Sequence, residues 1–134
     1  MTSPHRLLNP AHWKPAKGYA NGMLAEGRTI HVGGQIGWNG DQLFETDDFV
    51  GQVGQTLRNV ADVLAVAGAR PEHVVRMTWY ITDKKEYLAR LPEIGEVYRS
   101  VMGRHFPAMT MVQVAALIED RAKVEIEATA VLEG

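Results

Sequence analysis

The run from Lys123 to Leu132 constrains the fold more than any other stretch of the chain. It alternates strictly. Val124, Ile126, Ala128, Ala130 and Leu132 fall on one face, and Lys123, Glu125, Glu127 and Thr129 on the other. Period-two alternation of apolar and polar residues is the mark of a β-strand with one face buried. The run from Phe106 to Leu117 is also rich in β-branched and apolar residues, and reads as a second strand. Glu125 and Glu127 share a strand face, about 7 Å apart along the chain. Alternation alone leaves two readings of that face: a solvated outer surface, or a pair of carboxylates available for chemistry.

Upstream the period changes twice. Phe49, Val53, Leu57, Val60, Ala61, Leu64 and Ala67 recur at three and four, which predicts an amphipathic helix. Thr46, Asp47 and Asp48 supply its N-cap, and Gly68 is placed just past its C-terminus. A strand is expected to open at Pro71, with Val75, Met77, Trp79 and Ile81 under the helix and Arg76, Thr78, Tyr80 and Thr82 on the other side. A second helical pattern runs from Tyr87 to Met102. Pro92 suits only a first helical turn, so a break is expected near Arg90 and Leu91, with Gly103 as the stop.

Before residue 49 the signals are weaker. Residues 1–17 carry no period and read as an irregular arm. Gly22–Ala25 and Thr29–Gly33 look like the two strands of a hairpin turning at Glu26, Gly27 and Arg28. Gly33 and Gly34 end the second of these. A glycine pair marks either a bulge where something approaches the backbone closely, or a simple bend, and the residues leave both open.

Two strands, helix, strand, helix and two strands in 134 residues predict a single α+β domain spanning residues 1–134, a mixed sheet with both helices packed on one face. The uncovered sheet face, partly apolar around Met109, Met111, Gln113 and Thr129, favours self-association. A formal net charge of −2 without a basic cluster argues against nucleic acid as a partner. No cysteine is present, which excludes thiol catalysis and cysteine-bound metal. The five histidines form no ligand spacing, so no metal site is expected. No apolar run is long enough for a membrane span or a signal peptide, and a soluble cytoplasmic protein is the expectation.

The two C-terminal runs also resemble a known signature. Pro107-Ala-Met-Thr-Met-Val112 followed by Lys123-Val-Glu-Ile-Glu-Ala-Thr-Ala-Val131 is similar to the end of the RidA (YjgF) family of reactive-intermediate deaminases. Gly18 to Gly22, Val32 to Ile36, the Gln52 to Gly68 helix and Val74 to Asp83 fall in that family's order and spacing. The resemblance implies a chorismate-mutase-like fold, a homotrimer whose sheets meet in a central barrel, and a small-molecule cleft between subunits. It implies hydrolysis of an imine or enamine without cofactor. Carried over position by position, the implied site residues are Tyr19, Gly33, Gly34, Met109 and the catalytic Glu125, with Met111 also shaping the pocket.

Met109 stands where the family has an arginine that clamps a substrate carboxylate, and Gly33 stands where many members have serine. Exchanging a guanidinium for a thioether removes a charge-assisted contact worth about 1.5–3 kcal/mol, roughly one to two powers of ten in binding. A small 2-imino acid is therefore not the expected substrate, unless Arg104 or Arg121 fills the gap. The alternative is a trimeric protein that binds a small molecule or a partner without catalysis.

Overall fold

The fold is that of a computed structural model, described for residues 4–133. Its main body is a four-stranded sheet of β3 (Arg28–Ile36), β4 (Val74–Ile81), β5 (Ala108–Gln113) and β6 (Val124–Leu132), in the order β3-β6-β4-β5. β6 is antiparallel to both of its neighbours, whereas β4 and β5 run parallel. Helices α1 (Phe49–Val66) and α3 (Leu91–Met102) cover one face, with the short α2 (Lys84–Ala89) ahead of α3. This is the chorismate-mutase-like arrangement of a mixed sheet with two main helices.

The core lies between that helix layer and the sheet. Val53, Leu57, Val60 and Leu64 of α1 are buried against Val74, Met77 and Ile81 of β4 and against Val124, Ile126 and Ala130 of β6. Ile94, Tyr98 and Met102 bring α3 into the same core. The helix ends follow the local chemistry of the chain. The Asp48 carboxylate accepts the Gly51 N–H at 3.0 Å, satisfying one of the orphan donors at the start of α1. Gly68 takes a left-handed φ of 76° just past the end of α1. α2 and α3 meet at Arg90, with Pro92 inside the first turn of α3.

Five expectations need correction. Arg6–Leu8, within the arm expected to be irregular, is a short strand, β1. It pairs with β2 (Gly22–Leu24), so β2 and β3 do not form a hairpin, and β3 pairs with β6 instead. Pro71 opens a 3₁₀ turn, Pro71–His73, and the strand begins at Val74. An irregularity between Val74 and Arg76 buries Val74 fully and leaves Val75 only half-buried. β5 stops at Gln113 because its partner β4 ends at Ile81, whose carbonyl then accepts the Val114 N–H at 2.8 Å.

His105, just before β5, is buried, and its Nε2 lies 2.6 Å from the Val74 carbonyl. A carbonyl only accepts, so the neutral ring donates through Nε2–H. Burial lowers the His105 pKa below 6.5. The hydrogen bond to Val74 and the Glu72 charge oppose that shift, and His5 and His73 add to it. The unfolded chain therefore binds a proton at a pH where the folded chain does not. Stability is fully present above about pH 6.5 and falls as pH drops toward the folded value. Thermal melts at pH 7.5 and 5.5 are expected to show this loss, and His105→Asn to reduce the difference between them.

Candidate functional site

β3 does not end at its glycine pair. Val32 is opposite Ala128 and Gln35 is opposite Ile126, so Gly33 and Gly34 together face the single residue Glu127. That is a β-bulge, with one extra residue on the edge strand. The bulge brings the Gly34 backbone against Glu125. A Cβ at Gly34 would lie 2.0 Å from Glu125 Oε2 and 2.9 Å from its Cδ, whereas one at Gly33 would meet nothing within 4 Å. Only glycine at position 34 leaves the Glu125 carboxylate where it is. The space at Gly33 would admit a side chain the size of serine.

Glu125 is half-buried and makes no hydrogen bond among the described residues. Glu127 is engaged differently, since the Tyr80 hydroxyl donates to its Oε1 at 2.6 Å. That bond, more than desolvation or the nearby carboxylate charges, raises the Tyr80 pKa, and Arg76 pulls it the other way. Of the two carboxylates on this face, one is occupied and the other is available.

Met109 and Met111 lie on the opposite side of the sheet. In the parallel β4–β5 register Met77 is beside Met109 and Trp79 beside Met111, and all four pack toward the helices. Glu125 is beside Tyr80, on the open face. Period-two alternation therefore separates Met109 from Glu125 within one chain. The methionines are accordingly not part of the uncovered face, and that face consists instead of residues such as Arg76, Thr78, Tyr80, Thr110 and Val112.

Tyr19 joins the methionines. Its neighbour Ala20 bridges Ala108 in parallel and donates its N–H to the Pro107 carbonyl at 2.9 Å, which fastens the segment alongside β5. Tyr19, Met109 and Met111 thus line a cleft of about 610 Å³ between β5 and α3. Trp79, Tyr98 and Phe106 form an aromatic wall. Tyr98 stacks on Phe106 at 5.4 Å between ring centroids and meets Trp79 at 6.3 Å. Burial pushes the Tyr98 hydroxyl up, and that of Tyr87 in the same lining, so both stay neutral.

The arginines singled out from the sequence are elsewhere. Arg121 donates to Asp47 at 2.9 Å and lies over the Phe44 ring at 5.3 Å. Arg104 lines a separate cleft of about 520 Å³ beside β1. The cations of the 610 Å³ cleft are Lys17 and Arg99, and no aspartate or glutamate lines it, while Arg76 lines a smaller cleft of about 150 Å³ with Tyr19 and Met109. Sequence reasoning missed Lys17 and Arg99. The available signal was the α3 period, which puts Arg99 one turn beyond Gly95 and next to the buried Tyr98. Among the described residues no cluster of three histidine, aspartate or glutamate side chains could hold a metal ion, and no helix is long and apolar enough to cross a membrane.

Known proteins share this fold. The family model described as Endoribonuclease L-PSP matches residues 10–132. A goat protein named 2-iminobutanoate/2-iminopropanoate deaminase is 33% identical over 129 residues, 94% of this chain and 89% of its own length. The human protein of the same name is 31% identical over the same shares. Among solved structures, YyfB of the Rid family from Yersinia pestis superposes with a TM-score of 0.85 at 32% identity, covering 96% of this chain and 98% of that one. Escherichia coli TdcF with bound serine gives a TM-score of 0.68 at 30% identity, covering 96% and 99%. A family match over nearly every residue, together with a shared fold at about one-third identity, means that this chain belongs to the RidA (YjgF) family.

Proposed function

We propose that this protein hydrolyses an imine or enamine other than a small 2-imino acid, in a cleft that a neighbouring subunit of a homotrimer completes. The observation that carries this reading is the division of the site. Glu125 over the Gly34 bulge and the Tyr19–Met109–Met111 cleft are each formed, but on opposite sides of one sheet. A second copy placing its β5 edge against the open face of the first would bring the two halves together. The uncovered sheet face, with Val112 exposed, supports such packing.

The chemistry needs little machinery. A protonated imine is already electrophilic. Glu125 takes a proton from water as the oxygen bonds to carbon, giving a carbinolamine, and returns that proton to the nitrogen. The C–N bond then breaks as Glu125 takes the hydroxyl proton and the carbonyl forms; ammonia leaves and accepts that proton to become ammonium. Met109 offers no charge to a carboxylate beside the reacting carbon, and it leaves apolar room for a larger group. The deaminase names of the goat and human relatives support the reaction type. An endoribonuclease role, as the family model's description has it, finds no support in a formal net charge of −2.

The test generates imines in place with an amino-acid oxidase or an amine oxidase and follows the loss of trapped imine. We expect clear acceleration with larger imines. With 2-iminopropanoate we expect activity at least about tenfold below that of an arginine-bearing relative, as the missing charge-assisted contact requires. Equal activity on 2-iminopropanoate would refute the proposed specificity. No acceleration with any imine would leave the non-catalytic binding protein as the better reading.

A further inference from the structure

The cleft between β5 and α3 combines three features that α/β packing alone does not require. Its walls are aromatic and apolar, and its only formally charged side chains are the cations Lys17 and Arg99. Neither cation makes a hydrogen bond or an ion pair among the described residues, so both charges are available. The third feature is Trp79. It is 2% exposed, it belongs to the same lining, and its indole N–H is the one buried side-chain donor without an acceptor among the described residues. Buried polar groups are nearly always paired, so an unpaired one beside a cleft points to a ligand that supplies the acceptor. Arg99 is held near the opening from α3. Its Nη1 lies 3.1 Å from where a Cβ on Gly95 would be, in space that any other residue at position 95 would contest.

We propose that this cleft selects an amphipathic anion, a ligand whose apolar or aromatic body lies against Tyr19, Met109 and Met111 while its acidic group is held by Arg99, with Lys17 assisting. For catalysis the inference rests on the reading above, and it names the substrate class: an imine or enamine whose carboxylate is separated from the reacting carbon by an apolar spacer. With the acid held from α3 instead of from β5, the ligand carries a spacer between its acid and the C=N. An oxygen acceptor on the body of the ligand pairs the Trp79 N–H once a methionine side chain gives way, which the unbranched, flexible thioethers permit. Of the cleft's cations, Arg99 is the better recognition group, because a planar guanidinium binds a carboxylate with two parallel hydrogen bonds.

Binding is tested without turnover. Calorimetric titration of the whole protein with 3-phenylpropanoate and 5-phenylpentanoate, and with the neutral amide of each, reads the charge preference directly. We expect at least one acid to bind roughly 10–100-fold more tightly than its amide, the range expected of a charge-assisted contact. Added salt should narrow that margin. Arg99→Met should erase the preference for acid, leave amide binding and the melting temperature unchanged, and be partly rescued by Arg99→Lys. Amides that bind as tightly as their acids, or acid binding untouched by Arg99→Met, would overturn the proposal. The two readings fail separately. Acid binding lost in Arg99→Met without any imine turnover sinks only the hydrolase, whereas turnover of neutral imines with no preference for acids sinks only the anion site.

Discussion

Glu125→Gln is expected to lower the turnover of a responsive imine by roughly 10²–10⁴-fold, the usual contribution of a positioned general acid–base, with little change in oligomeric state or melting temperature. Glutamine keeps the shape of the side chain and removes its ability to take a proton from water. Glu127→Gln is expected to cost far less. The Glu127 carboxylate already accepts the Tyr80 hydroxyl at 2.6 Å, and an amide oxygen can accept the same bond. Gly34→Ala supplies an independent check. A methyl group there would sit 2.0 Å from Glu125 Oε2, and the nearest atoms all belong to the Glu125 side chain. The carboxylate must move while the backbone need not, so activity should fall well before stability does. Gly33→Ser should leave stability unaltered, because nothing lies within 4 Å of its Cβ position. If Glu127→Gln abolishes turnover and Glu125→Gln spares it, the assignment of the catalytic carboxylate is wrong.

The second large effect is expected at Gln52, which is 0% exposed and ties α1 to the start of β6. Its Nε2 donates to the carbonyls of Arg121 at 2.9 Å and Thr46 at 3.2 Å, and its Oε1 accepts the Lys123 N–H at 2.8 Å. A buried backbone group left without a partner costs about 1–3 kcal/mol, and these three, partly buried, fall toward the lower end of that range. Gln52→Met, which keeps the volume and removes all three bonds, should therefore destabilise the fold by roughly 3–5 kcal/mol. Urea titration monitored by circular dichroism measures it, and a cost under about 1 kcal/mol would contradict the account. Lys123 is two residues from Glu125, so any surviving folded fraction should also show a displaced carboxylate. Asn59 does similar work two turns further along the same face of the helix, donating to the carbonyls of Ile36 at 2.9 Å and Trp38 at 2.7 Å. Both polar residues fall within the helix segment that resembles the family, and their hydrogen bonds give that segment a structural role.

Much of the fold was readable from the chain because its signals are local. Alternation in Lys123–Leu132 assigned the faces of β6, and burial of Val124, Ile126, Ala128 and Ala130 agrees. The three-and-four stripe, the cap at Asp48, the stops at Gly68 and Gly103 and the break at Arg90 all follow from rules that act within a few residues. The tertiary structure decided whatever depends on distant partners. Period two says which way a side chain points but not which strand lies beside it, so β2 turned out to pair with β1, and β5 ended where β4 did. The glycine pair was compatible with a bend or a bulge, and the register of β3 on β6 made it a bulge. The same parity that exposes Glu125 on the open face turns Met109 toward the helices, and only the sheet order β3-β6-β4-β5 shows how far apart that leaves them in one chain. Long cationic side chains are the extreme case. Their reach spans several residues' worth of surface, so packing alone gave Arg121 to Asp47, Arg104 to the cleft beside β1, and Arg99 to the cleft of Met109.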